Sequence, residues 1–318
     1  MSPPAIRQVD HVNVLSDDPA RTASLLADAL ALPVSAPLLR CPTFELEILT
    51  AGNVTLESIR HRGGPGSGRG ISLTGVVFEP DSTAAQAAAE LRERGVPHLA
   101  PLTFSGPHTR FEAYEPYRRS ADEPNWRVFP VDGVLAERPM IVSRLSTRAL
   151  VDGAATAGAT ATVMSRIASS RPLGRLTAGL FTLPPEFLAV CEWGHDLTAR
   201  RAADAQHFAS AQAAGPGLTG LRDVVISARD VGAARQRWQQ LLDPAPCSGH
   251  RWTLGDGPTI ALVPGERDGL ARLVFEGASL PIARAWLDER SLVGAESTTE
   301  ELRLAPERVG GLDLRVTA

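Results

Sequence analysis

The sequence predicts an α+β fold built from four βαβββ modules in tandem, and three observations predict it. An alternating apolar segment followed by an amphipathic helical segment recurs at residues 9–33, 73–97, 221–246 and 270–294. The first two, VDHVNVLSDDPARTASLLADALALP and LTGVVFEPDSTAAQAAAELRERGVP, align without a gap, and the second and fourth share the string VFE at matching places. Short β-rich runs follow each helix, as a module needs if its sheet is to be completed before the next begins.

In the first module VDHVNV alternates with period two, as a strand with one buried face does. Asp17-Asp18-Pro19 supplies a helix cap and first turn, and Leu25, Leu26 and Leu30 form an apolar stripe at helical spacing. FELEILT (44–50) and NVTLESIR (53–60) read as strands joined through Ala51-Gly52-Asn53. WRVFPVDG (126–133) and FLAVCEWGH (187–195) do the same for the second module. RWTLGDGPTIALVPG (251–265) is a hairpin turning at Gly255-Asp256-Gly257, and LDLRVTA closes the fourth module. The Gly/Pro-rich stretches 61–70 and 213–220 read as linkers. Residues 144–182, rich in Ala, Thr, Gly and Ser, interrupt the second module as a helical surface excursion or, on a sharper reading, a lid over the adjacent site. Residues 1–212 therefore form an N-terminal domain of two modules plus this insertion, and 213–318 a C-terminal domain of two more.

Composition narrows the chemistry. The net charge of -4 excludes a dedicated nucleic-acid binder with a basic face. No apolar run approaches the ~20 residues that span a bilayer. MSPPAIRQVD has no apolar signal core, and Cys41, Cys191 and Cys247 are too few and too scattered for a disulfide framework, so a reducing cytoplasm is expected. All 32 basic residues are arginine, which removes Schiff-base chemistry and the lysine of a phosphate-binding loop.

His11 lies in the first strand, on the expected face of Val9 and Asn13, and Glu57 in the last strand of the same module. A carboxylate there is costly to bury unless it is paired or bound to a cation. Glu192 occupies the last strand of the second module, so module symmetry adds it to the set. One histidine and two glutamates can hold a hard or borderline divalent ion and leave positions open for water or substrate. Tyr114 and Arg118, with Asn13, are candidates to line the substrate cleft; a surface strand edge explains the first two equally well. Trp193 is expected on the outer face of its sheet.

Paired βαβββ modules with ligand residues in first and last strands resemble the vicinal oxygen chelate superfamily, the glyoxalase, bleomycin-resistance and extradiol dioxygenase group. VDHVNVLSDDPARTASLLADAL, TLESI and the FLAVCEW strand are most similar to its glyoxalase-like branch. The resemblance implies modules paired into two domains with curled mixed sheets, and a cleft holding a divalent metal: Zn, Mn, Ni, Fe or Co. It implies His11, Glu57 and Glu192 as ligands, with Glu57 or Glu192 also moving a proton. The superfamily commonly takes a further ligand from the first strand of the second module, where this sequence has Gly75 beside Thr74, neither a normal ligand; either three side chains hold the metal or His195 or His98 substitutes, with Thr74 a further candidate. The equivalent C-terminal positions, Asp223, Ala261, Arg272 and Asp313, describe a degenerate half. The implied function is a metal-dependent isomerase, epimerase or lyase of glyoxalase type that chelates vicinal oxygens of a small organic substrate. The alternatives are an extradiol-type dioxygenase and a non-catalytic small-molecule or antibiotic-binding resistance protein. Small molecules are the expected partners, in a monomer or homodimer, without nucleic acid or membrane.

Overall fold

A computed structural model describes residues 4–40, 44–61, 70–105, 124–135, 186–194 and 196–318. The insertion 144–182, Tyr114, Arg118 and His195 lie outside the described residues.

The first module consists of β1 (Ile6–Leu15), α1 (Pro19–Leu30), β2 (Val34–Arg40), β3 (Phe44–Thr50) and β4 (Thr55–His61). The second has β5 (Ser72–Pro80), α2 (Ala84–Glu93), β6 (Leu102–Ser105), β7 (Pro124–Val131) and β8 (Phe187–Trp193). Helix α3 (Thr198–Ala213) leads into the third, with β9 (Leu218–Ala228), α4 (Val231–Leu242), β10 (Cys247–Ser248), β11 (Arg251–Trp252) and β12 (Thr259–Pro264). The fourth has β13 (Gly269–Gly277), α5 (Leu280–Glu289), β14 (Glu301–Arg303) and β15 (Leu314–Thr317). The strands β2, β6, β10 and β14 and the helix α3 are additions to the elements named from the sequence.

The strands form two open mixed sheets, ordered β2-β3-β4-β1-β5-β8-β7-β6 and β10-β11-β12-β9-β13-β15-β14. Within a module the first strand pairs in parallel with the last, β1 with β4, β5 with β8, β9 with β12 and β13 with β15. Between modules the first strands pair antiparallel, β1 with β5 and β9 with β13. This is the α+β arrangement of paired βαβββ modules.

One irregularity is repeated in all four first strands. Opposite Phe78–Val77, β1 runs Val9, Asp10, His11, with one residue too many; opposite Val14–Asn13, β5 carries the extra residue at Thr74. Arg222 and Ala271 occupy the same place in β9 and β13. A bulge turns two consecutive side chains to one face. Val9 and Val12 therefore both enter the helix-side core, while Asp10 and His11 share the other face. The expected shared face of Val9 and His11 is corrected by this bulge.

Helices cover the opposite face. Asp18 caps α1 by accepting the Arg21 N–H at 3.1 Å, and Thr83 with Gln86 forms a capping box on α2. Asp230 caps α4 through the Ala233 N–H at 2.9 Å. Among the described residues no helix is long and apolar enough to cross a membrane. One contiguous core runs from Val12 and Phe78 of the first sheet and Leu26 of α1 to Trp238 of α4 and Ile260 and Phe275 of the second sheet. Phe78 meets Trp238 edge-on with centroids 6.4 Å apart, so the halves share buried surface.

The turn after β3 joins the halves a second time. Gly52 takes φ +82°, which L side chains rarely adopt, and brings Asn53 against β9. Asn53 Nδ2 donates to the carbonyls of Leu221 at 3.1 Å and Asp256 at 3.2 Å, and its Oδ1 accepts the Leu221 N–H at 3.1 Å. Asn53→Ala removes these three hydrogen bonds, while the Leu221 N–H keeps the Ala51 carbonyl at 3.1 Å, and is expected to lower stability by about 1–2 kcal/mol. Urea denaturation measures this; a change below ~0.5 kcal/mol would show that the staple contributes nothing.

Candidate metal and substrate site

The bulge and the parallel β1–β4 ladder build the site. His11 aligns with Thr55 and Asn13 with Glu57, so the histidine and the glutamate rise from adjacent strands on the face away from the helices. Both are 8% exposed. His11 Nε2 lies 3.4 Å from Glu57 Oε2, and its Nδ1 lies 2.7 Å from Asp10 Oδ2. Ile48 stands directly across the ladder from Glu57, and Val77 across from His11. Asn13 is buried between Glu57 and Gly75 in register.

Asp10 is the anchor. Besides His11 it accepts Trp193 Nε1 at 3.0 Å and Arg201 at 2.9 Å. Burial pushes its carboxyl up, but the hydrogen bond and charge of His11, then Arg201 and Trp193, together hold it below its ordinary value. Burial pulls His11 down, yet the charge of Glu57 and the contact with Asp10 raise it overall. Glu57 is raised because burial and the neighbouring Asp10 charge outweigh the attraction of His11 and Arg200.

Glu192 does not join this group. Its Oε2 accepts the Ala84 N–H at 2.7 Å, at the start of α2, and its Oε1 accepts Arg127 at 2.6 Å. A carboxylate at a helix N-terminus meets unpaired N–H groups and the positive end of the helix dipole. The reason lies in the register. Glu57 sits beside Asn13, whose counterpart in the second module is Val77, and Val77 pairs with Ala189. Ala189, not Glu192, is thus the strand equivalent of Glu57; Glu192 is three residues further along, an odd step in a period of two.

The second-module position that matches His11 carries no donor side chain either. Gly75 matches His11 in the repeat, and a Cβ there would lie 2.5 Å from the Phe187 ring. Thr74, the bulge residue, is buried and corresponds to Asp10. Val77, Phe187, Ala189 and Cys191 form an apolar cluster with Trp126, Val128 and Trp193. Burial holds the Cys191 thiol well above its ordinary value, so it is not a thiolate. His98 is elsewhere, its Nδ1 2.9 Å from the Val96 carbonyl. Among the described residues no group of three His, Cys, Asp or Glu side chains is arranged to hold a metal ion.

In the C-terminal half Asp223 stands where His11 does but is ion-paired with Arg251, and Ala261 replaces Glu57. Arg315, from the register of β13 with β15, replaces Ala189 and binds Asp313 at 3.0 Å. No ligand set remains there among the described residues.

Sequence reasoning missed Asp10, Trp193 and the arginines of α3. The signal for Asp10 was present: VDHV, LTGV, LRDV and LARL all separate two apolar residues by two, where plain alternation allows one. Trp193 faces inward, against the expected outer face, because its indole N–H satisfies Asp10 and its ring meets Trp126 at 6.2 Å. Asp10, Glu57, Arg200 and Arg201 line one cleft of about 480 Å³ between the strand ends and α3.

The three shifts set a pH profile. His11 and Glu57 are raised above their ordinary 6.5 and 4.5, so each stabilises the fold fully below those values and loses that contribution as pH rises through the folded value. Asp10, lowered from 3.8, loses its contribution as pH falls. With chelator present, urea-denaturation stability should decline as pH rises above 6.5, and His11→Gln should flatten that decline. An unchanged slope in the variant would overturn the assignment.

No family model matches the sequence, and no curated protein matches it. Solved structures do match the fold. A variant of homoprotocatechuate 2,3-dioxygenase from Brevibacterium fuscum superposes with a TM-score of 0.54 at 10% identity, covering 99% of this chain and 72% of that one. The Mn(II)-bound glyoxalase from Novosphingobium aromaticivorans gives 0.53 at 10% identity, over 99% and 83%. A hypothetical protein from Staphylococcus aureus gives 0.54 at 9% identity, over 98% of both chains. With four βαβββ modules paired through their first strands, the chain shares the fold of these glyoxalase and dioxygenase structures.

Proposed function

We propose that the chain is a metal-dependent enzyme of vicinal oxygen chelate type, an isomerase, epimerase or lyase acting on a small oxygen-rich organic substrate at His11 and Glu57. The observation that carries this reading is the line Asp10–His11–Glu57. A histidine that ligates a metal characteristically gives its other ring N–H to a carboxylate, as His11 Nδ1 is placed to do with Asp10 at 2.7 Å. Nε2 is then the donor atom, 3.4 Å from Glu57 Oε2, and two donors so separated can both reach one ion at about 2.0–2.2 Å. His11 and Glu57 supply two donors of the right chemistry, one fewer than the three protein ligands usual at a catalytic ion, so water and substrate oxygens would complete the shell. The Mn(II)-bound glyoxalase among the neighbours, and a dioxygenase neighbour solved with 3,4-dihydroxyphenylacetate, support a metal and a small organic substrate.

Such an ion supplies chelation of two adjacent oxygens and stabilisation of an enolate or oxyanion. The protein does the rest. Asp10 fixes the tautomer and tilt of His11. Glu57, whose proton affinity burial has raised, is the group to take a proton from carbon beside a substrate carbonyl. Glu192 has both oxygens engaged and is released from that role. A dioxygenase of the extradiol type asks for a second histidine, and Gly75 stands at the register position.

A second reading, a non-catalytic binder, is favoured by the carbon wall of Val77, Phe187 and Ala189. Calorimetric titration of Mn²⁺, Ni²⁺ and Zn²⁺ into chelator-treated protein separates the two. One ion per chain is expected, with affinity lowered more than about tenfold by His11→Ala and by Glu57→Gln. Glu192→Ala should keep the ion but lower stability by about 1–3 kcal/mol. Metal uptake unchanged by His11→Ala and Glu57→Gln would overturn the ligand assignment. No uptake by the wild type, with an apolar aromatic compound bound instead, would establish the binder.

A further inference from the structure

The bulge sets two consecutive side chains on one face in every module, and the four pairs differ in what they hold. In the first module Asp10 meets His11 at 2.7 Å. In the second the place falls to Thr74 and Gly75, and in the third Arg222 lies 3.8 Å from Asp223. In the fourth it falls to Ala271 and Arg272, so a methyl group stands where the neighbouring counter-ion would be. Arg272 makes no hydrogen bond or ion pair among the described residues. Its Nε is buried without a partner while the residue as a whole is only half-buried, so the two terminal nitrogens are the ones that reach the open face.

The carboxylates of that face are engaged by other arginines. Asp313, brought beside Arg272 by the bond from the Leu273 N–H to its carbonyl, accepts Arg315 at 3.0 and 3.1 Å and lies 3.2 Å from Arg303. Asp223 is ion-paired with Arg251, Glu301 with Arg315 and Glu296 with Arg303. Glu276 stands four residues along β13, roughly 13 Å by the rise of a strand, and accepts the Thr219 hydroxyl at 3.2 Å. Directly across the ladder from Arg272 is Val225, which packs with Ala261 and Val274 in an apolar cluster. A charge flanked by hydrocarbon is screened less than one in open water, and its attraction for an anion is stronger. The guanidinium edge presents two parallel N–H groups, the geometry that a carboxylate or phosphate accepts bidentately.

We propose that Arg272 is the centre of an anion site on the face of the second sheet away from the helices, taking the carboxylate or phosphate group of a small molecule end-on through its two terminal nitrogens. The site lies in the half whose metal-ligand positions are replaced, and it does not depend on the ion proposed for His11 and Glu57. Its ligand class is a small oxyanion; a neutral molecule of the same size lacks the group that the fork recognises.

Calorimetry tests this. Inorganic phosphate and succinate are each titrated into chelator-treated full-length protein at low ionic strength, with chloride as the only other anion. At least one should bind, one per chain, with a Kd below about 1 mM, and the tighter of the two identifies the group the site prefers. Arg272→Gln should weaken that binding by about tenfold or more. Ala271→Asp, which gives Arg272 a neighbouring carboxylate as Asp10 gives one to His11, should abolish it. Neither probe binding below about 1 mM, or a loss of less than about tenfold in Arg272→Gln, overturns the proposal. Should Arg272→Gln fail to fold, Ala271→Asp decides: anion binding that survives in it overturns the proposal as well.

Discussion

Two neighbouring side chains of a strand normally point to opposite faces, and the site here requires that Asp10 and His11 do not. The β-bulge between Val9 and His11 meets that requirement. It turns Asp10 inward beside His11, where the carboxylate can hold the imidazole, and it returns Val9 and Val12 to the core beneath the helices. The same bulge recurs at Thr74, Arg222 and Ala271, so it belongs to the module and not to the one site. Only the first module fills the paired position with a carboxylate and an imidazole.

Around that pair the protein tolerates an arrangement that is costly unless every partner is present. Asp10, His11 and Glu57 are all buried, and the donors that satisfy Asp10 come from β1, β8 and α3. Removing one leaves a charged group in a low-dielectric surround with its hydration already lost. The network therefore ties three distant stretches of chain together, and a perturbation in α3 is felt at the imidazole through Arg201 and Asp10. Cooperation of this kind makes single substitutions at the site poor reporters unless fold stability is followed alongside ligand binding.

How much of this was legible in the sequence depended on whether the information was local. The four repeats, the cap at Asp18, the turn at Gly52 and the strand positions of His11 and Glu57 follow from period, turn residues and spacing within a few residues, whereas the face His11 takes depends on the bulge. Glu192 did not, because module symmetry by eye placed it opposite Glu57 and the ladder places Ala189 there instead. A shift of three residues along a strand changes the face, and composition alone does not reveal the register. Trp193 and Arg201 were illegible for a different reason: each is defined by a contact to Asp10 more than 180 residues away. The strand β2, with Pro37 inside it, lies at the sheet edge, where a missing N–H costs no ladder bond.

Phe187 over Gly75 has a geometric consequence of its own. On the β5–β8 side the pair His11 and Glu57 faces ring and methyl carbons, and its polar surroundings lie toward the strand ends and α3. The two faces of a planar molecule held there are therefore inequivalent: one is pressed against hydrocarbon and the other looks toward water, carboxylates and guanidinium groups. Such a half-walled setting distinguishes left from right. In a near-symmetric pair of modules, donors on one side alone make that side handed.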